Sequence, residues 1–352
     1  MINMTDQHQS NTATIPPPKD SANVLRPTSF RDLPSPRFVI SQKLRAKYQQ
    51  KHHALFSRFS AGWSIPPNPG PWLAKSLRSR WVLYHKQLRE CQKRLSVNSV
   101  HQLRVATRRF MTYYDLVGCF ASAQKGSKAR MKLKRRLKIL GELRDAQVQR
   151  LLIEQHAERF PFLILVRDFL QQRERRLLKN VAPKVQRFKS RQVEQWTSDL
   201  CQDLDAWPDD AKNRELLASD VFDAMANAFA EAVRCRQTID PADSQTIHRT
   251  RVAFKKLRYL VEALSPAFTG LGKKQLRRLA NYQRRMGNLQ DLEILQVSLE
   301  AFLCKHPDSE VLLAPFARYL RLRRARSLRS CLDHADDLFE FWDPSELSRK
   351  AA

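Results

Sequence analysis

His101-Gln102-Leu103-Arg104-Val105-Ala106-Thr107-Arg108-Arg109-Phe110 returns 147 positions later as His248-Arg249-Thr250-Arg251-Val252-Ala253-Phe254-Lys255-Lys256-Leu257. Downstream, Leu140-Gly141-Glu142-Leu143-Arg144-Asp145 is echoed by Met286-Gly287-Asn288-Leu289-Gln290-Asp291 at an offset of 146. Farther on, Arg173, Arg175 and Leu177 are echoed by Arg324, Arg326 and Leu328 at an offset of 151. Three matches in the same order at almost constant spacing predict a duplicated unit, spanning about 71–200 and 212–335. A helix advances 100° per residue, so His101, Arg104 and Arg108 fall on one narrow stripe. Ala106, Phe110, Tyr113, Tyr114 and Val117 take the opposite, apolar side. The second copy repeats the division. His248, Arg251 and Lys255 line one stripe, and Phe254, Leu257, Leu260, Val261 and Leu264 the other.

Around these segments the chain reads as helix after helix from Trp72 onward. Only eight of 352 residues are glycine, about a third of ordinary usage, so tight turns and phosphate-cradling loops have little to be built from. The fold class expected is all-α, with long antiparallel helices. Residues 1–70 are rich in Pro, Ser, Thr, Asn and Gln, and are expected to form a flexible tail with one short helix over 41–59. Pro66-Pro67-Asn68-Pro69-Gly70-Pro71 marks a stiff boundary before a domain at 71–340, and 341–352 reads as a second tail. Six scattered cysteines without a C-x-x-C pair predict reduced thiols, not a disulfide framework or a zinc module. The longest apolar run, 160–166, is too short for a bilayer, and residues 1–25 lack the apolar stretch of a secretory signal. A cytoplasmic protein with no membrane partner is the expectation.

The chain carries 63 Lys and Arg against 35 Asp and Glu, a net charge of +28. That excess is unevenly placed. Residues 71–191 hold 30 basic and 8 acidic side chains, residues 192–232 hold 2 and 10, and residues 233–335 hold 20 and 9. Two basic blocks flank an acidic bridge, which predicts a polyanionic partner for the repeated units. The bland alternative is a solvated basic face. Recurrence of the same histidine-led stripe in both copies favours a bound anion.

Arg109 and Lys256 lie about 80° off the stripes and are expected to flank the same groove. A second basic helix follows in each copy, through Lys128, Lys132, Arg135 and Lys138, and through Lys274, Arg278 and Arg285. Arg173 and Arg324 add cations farther on. Gly141 and Gly287 stand within predicted helix, where glycine is unfavourable by about 1 kcal/mol; its repetition predicts a close helix approach. Asp145 and Asp291 are expected to orient neighbouring arginines through salt bridges. Neither motif helix carries Asp, Glu, Cys or a second His at ligand spacing, so no metal or cofactor is expected, and no catalytic residue.

These residues resemble the CHAD family, a histidine-containing α-helical domain. The resemblance rests on His101-x-x-Arg104-Val105-x-x-Arg108-Arg109 with Leu140-Gly141-x-x-Arg144-Asp145, and on His248-x-x-Arg251-Val252-x-x-Lys255-Lys256 with Met286-Gly287-x-x-x-Asp291. It covers about 71–335. It implies a tandem pair of four-helix bundles related by a pseudo-twofold, with basic residues of both halves lining a shared groove. It also implies binding of inorganic polyphosphate and association with polyphosphate granules and their proteins. Gln290 replaces the arginine usual in that motif, and Met286 a leucine. The Glu-x-Glu-x-Lys strand motif of the hydrolase domain that accompanies some members does not occur.

Two other functions compete. Nucleic acid would satisfy the same charge, but the aromatics of the motif helices are expected on the core side, away from the cations where bases stack. An enzyme acting on phosphoanhydrides would need carboxylates facing the groove. The rich source is 192–232, with Asp209, Asp210, Asp220 and Asp223, which reads better as a solvated connector and opening helix.

Overall fold

A computed structural model describes residues 68–117, 123–267 and 273–341. Among these residues the chain is helical and without a strand. The expected N-terminal tail with its short helix, and most of the expected C-terminal tail, lie outside the described residues.

The first helix, α1 (Pro69–Lys93), starts inside the proline-rich stretch read as a boundary. Proline suits the first turn because that position has no N–H to satisfy within the helix. Asn68 enters it in the left-handed region, with φ 56°. Gly70 is obligatory there: a Cβ would lie 2.2 Å from the carbonyl oxygen of Leu204 and 2.8 Å from Cβ of Trp207. Then come α2 (Val97–Val117), α3 (Ala123–Ile139), α4 (Gly141–Glu154), α5 (Leu163–Gln186) and α6 (Arg191–Asp205). The second half comprises α7 (Ala211–Gln237), α8 (Ser244–Leu264), α9 (Lys273–Leu303), α10 (Glu310–Asp333) and the short α11 (Asp337–Glu340). Helix α9 runs uninterrupted through the region that α3 and α4 share across a break at Leu140.

Helices α1, α2, α3 and α6 pack in a closed ring, while α8 packs on both α7 and α9 and α11 rests on α7. Amphipathic spacing drives this. Helix α6, for example, buries Val193, Thr197, Leu200, Cys201 and Leu204 and leaves its other faces to solvent. One large core runs through both halves. A second, separate core joins Ile153 of α4 and Leu163, Val166 and Leu170 of α5 to Leu295, Leu299 and Phe302 of α9 and Leu313, Phe316 and Leu320 of α10. It draws on both sequence halves.

The acidic segment is largely occupied with local work. Asp205 pairs with Arg78, Asp209 with Arg214, and Asp210 caps α7 by accepting from the Asn213 amide at 2.8 Å. The described cysteines are free thiols, and burial pushes Cys91, Cys201 and Cys331 up to about 11. No helix among the described residues is long and apolar enough to cross a membrane.

Candidate functional site: a cationic cleft between the repeats

The apolar faces read from the sequence are buried. Leu103, Ala106, Phe110, Tyr113, Tyr114 and Val117 lie in the core from α2, and Phe254, Leu257, Leu260, Val261 and Leu264 from α8. That burial fixes each helix's rotation, so the histidine-led stripes must point away from the core. Helices α2 and α8 then pack directly on each other, with the Tyr113 hydroxyl donating to the Ala263 carbonyl at 3.1 Å. The two stripes are thereby merged into one place.

Lys255 is its centre. It is half-buried, and Arg108, Arg251, Arg104 and Arg258 all act on it. Desolvation first, and then the repulsion of those guanidiniums, hold its ammonium down to about 6. His101 is exposed, yet it is also lowered, by desolvation and then by Arg144, Arg108, Arg104 and Lys255. An exposed group that is also desolvated lines a concave surface. Arg104 is brought to about 10 by burial and by Arg108. Two carboxylates face this charge. Desolvation raises Asp145 and Asp291 above the usual carboxylate range, even though Arg104 and Arg108 pull the first down and Arg251 and Arg144 the second. The Arg144–Asp291 and Arg251–Asp145 interactions cross between the halves. Thus the expected orienting role of the aspartates extends across the repeat interface.

Below the arginines lie the repeated glycines. A Cβ on Gly141 would stand 4.0 Å from Nη1 of Arg104, and one on Gly287 would stand 3.9 Å from Nε of Arg251. These are ordinary contacts with side chains, so the expected close approach of helices at Gly141 and Gly287 is corrected to an arginine lying over each glycine. Arg104 Nη1 also donates to the Leu137 carbonyl at 2.8 Å, holding the guanidinium against the end of α3. At the position where Gln290 replaces arginine, its amide oxygen bonds Nδ1 of His248. Arg144, the first-half counterpart, instead presents a cation to His101. The two histidines therefore have different surroundings.

Several expected cations lie elsewhere. Arg109 pairs with Glu262 of the opposite half at 3.4 Å, and Lys256 acts on Asp115. Because Asp115 and Glu262 are themselves 147 apart, these are reciprocal contacts between the two repeats, and they tie α2 to α8. The acidic partners were legible in the same repeat. Lys132 points to α6, with its ammonium 5.8 Å from the Trp196 ring centre. Arg278 sits 5.6 Å from the Phe341 ring centre, and Arg285 pairs with Asp337 at 3.1 Å. Helical phase explains Arg278, which lies about 140° around the axis of α9 from Asp291. Lys128, Arg135, Lys138 and Lys274 are exposed.

Arg173 donates to Gln149 at 3.4 Å and acts on Asp145, at the cleft's edge. Arg324 pairs with Glu293 at 2.9 Å. Their sequence match is corrected by burial: Leu163, Val166 and Leu170 correspond to Leu313, Phe316 and Leu320 at an offset of 150, which aligns Arg324 with Glu174. Glu174 is itself bound to Arg150 at 2.6 Å, so the two halves use a similar bridge with its charges reversed. The sequence reading also misplaced one aromatic. Tyr259 stands among the cations, its ring centre 5.9 Å from Lys255 Nζ and 5.8 Å from Arg258 Cζ. Its first-half counterpart is Thr112, so the repeat carried no signal for it. Among the described residues, no three His, Cys, Asp or Glu side chains are grouped to hold a metal ion.

No curated protein matches the chain. Among solved structures, the CHAD domain from the plant Ricinus communis superposes with a TM-score of 0.56 at 17% identity, over 75% of this chain and 91% of that one. PptA from Streptomyces chartreusis superposes with a TM-score of 0.53 at 15% identity, over 76% of this chain and 99% of that one. At such identities the likeness is one of fold. A family model for the CHAD domain matches residues 80–300, most of the chain, and the protein belongs to the CHAD domain family.

Proposed function

We propose that the cleft between α2 and α8 binds inorganic polyphosphate without turning it over, and that the chain thereby associates with polyphosphate granules in the cytoplasm. The observation that carries this reading is Lys255, pressed among Arg104, Arg108, Arg251 and Arg258 until its charge is disfavoured. Asp145, Asp291 and Glu262, which pairs with Arg258 at 2.7 Å, offset only part of this charge, and a polyanionic ligand would supply the rest. A linear phosphate polymer supplies many negative oxygens and no base edges, so recognition reduces to charge and groove shape. Arginine contributes paired oxygen contacts that lysine does not.

The test is a binding titration of long-chain polyphosphate, short polyphosphate and duplex DNA at two salt concentrations. Polyphosphate should bind tightest, with affinity falling steeply as salt rises through counterion release. Equal competition by DNA at physiological salt defeats the reading in favour of general nucleic-acid binding. Phosphate release with added Mg²⁺ defeats the non-catalytic part.

A further inference from the structure

Beside the cleft, a pocket of 290 Å³ opens where α1, α2, α8 and α9 meet. Its chemistry differs from the cleft's. Tyr113 and Leu276 give it apolar walls, Arg80 and Arg109 give it cations, and Glu262 gives it a carboxylate. The Arg80 guanidinium lies 5.3 Å from the Tyr113 ring centre, and no carboxylate among the described residues pairs with it. Tyr259 belongs to both places: it lines the pocket, and it stands within reach of Lys255, Arg104 and Arg251 in the cleft.

We infer that this pocket receives the base and sugar of a nucleoside oligophosphate whose phosphates run past Tyr259 into the cleft. This rests on the reading of the cleft as a phosphate site. Three features select such a ligand over more of the polymer. First, a phosphate chain offers only acceptor oxygens, whereas a heterocycle and a sugar carry N–H and O–H donors for the acceptor positions that Glu262 keeps beside its pairs with Arg258 at 2.7 Å and Arg109 at 3.4 Å. Second, the volume is at the lower end of small-molecule pockets, about 300 Å³, which fits a compact group and not a polymer passing through. Third, the ring of Tyr259 and the guanidinium of Arg80 are flat surfaces suited to stacking a base.

The pocket is also one-sided. Across the pseudo-twofold, Glu262 corresponds to Asp115, Tyr259 to Thr112 and Leu276 to Arg130. Arg130 binds Asp115 there, so the place that Leu276 leaves apolar is taken up by an ion pair. Among the described residues, the corresponding place in the first half is therefore closed by an ion pair and lacks the Tyr259 wall.

Calorimetric titration of the full chain with ATP, inorganic tripolyphosphate and adenosine tests this, in the wild type and in Leu276→Trp and Arg80→Ala. Stacking and the Glu262 contacts should make ATP bind about ten-fold tighter than tripolyphosphate. Leu276→Trp fills the pocket and should erase that advantage while leaving tripolyphosphate unchanged; Arg80→Ala should reduce it. Equal affinity for ATP and tripolyphosphate in the wild type, or an ATP advantage that survives Leu276→Trp, overturns the inference. Should adenosine bind and tripolyphosphate not, the pocket stands and the phosphate reading of the cleft fails.

Discussion

If the cleft binds a phosphate polymer as proposed, Lys255 should make the affinity depend on pH, with a sign and size that follow from its surroundings. Unliganded, its ammonium is held at about 6 by burial and four arginines. A polyanion laid against it restores the charged form toward the ordinary lysine value, so above pH 6 binding takes up a proton. A group whose pKa is higher in the complex favours binding at low pH. Between pH 6 and pH 8 the free lysine passes from half protonated to almost neutral, and linkage weakens binding by about fifty-fold, or about 2.3 kcal/mol. His101 and His248, also lowered, add in the same direction toward acid pH. Protonation of Asp145 and Asp291 does so too. The arginines keep their charge throughout. Titrations of long-chain polyphosphate at pH 6, 7 and 8 and fixed ionic strength measure the slope. Lys255→Arg should bind at all three with little slope, because arginine does not lose its proton in this range. Lys255→Met should likewise lose most of the slope, and at every pH should bind more weakly than the wild type does at pH 8, because the wild-type lysine is still charged in the complex there. A wild-type affinity that is level from pH 6 to 8, or a slope as steep as the wild type's that survives both substitutions, refutes the reasoning.

The same residue gives a stability prediction of opposite sense. Its folded-state pKa lies below the unfolded value of about 10.4, so the unfolded chain binds more protons between those limits and the unliganded fold gains stability as pH rises through that window. Lys255→Met should raise the melting temperature at pH 7 and flatten its pH dependence. Arg108→Ala should weaken polyphosphate binding and lower the slope of log affinity against log salt by about one. Lys132→Ala and Arg278→Ala, which lie on the far faces of their helices, should change affinity by less than about two-fold, because surface cations outside the track contribute only long-range, screened attraction. Gly287→Ala should stabilise by about 0.5–1 kcal/mol in thermal denaturation, since its Cβ meets only the Arg251 side chain, whereas Gly70→Ala should destabilise through its clash with Leu204. A double-mutant cycle on Arg109 and Glu262 should give a coupling of about 0.5–1 kcal/mol in stability, and a charge swap of the pair should recover most of it.

Much of this molecule is legible from one dimension. The all-α class follows from apolar spacing and scarce glycine, and the repeat at 147 identifies His101, Arg104, Arg108, His248, Arg251 and Lys255 before any coordinates. Periodicity works for these residues because burying Phe110 and Phe254 determines where the opposite stripe must point. It also holds the reason that Arg278 faces away, since about 140° of rotation along α9 separates it from Asp291. Charge counting could not make that separation, for it treats every cation on a helix alike.

The tertiary structure decided what each cation faces. Arg109 and Lys256 look like groove residues in sequence and become interface residues because Glu262 and Asp115 of the opposite halves meet them. Arg104 is directed by a carbonyl at the end of α3, and Arg324 is occupied by Glu293. Tyr259 enters the cationic cluster only because α8 is packed against α2. What the sequence determined by itself is local: which residues share a helix face, and that the face occurs twice. What needed three dimensions is the merging of the two faces, because desolvation and repulsion depend on distances between residues about 150 positions apart. Two solvated basic stripes become one cleft in which Lys255 holds its proton weakly.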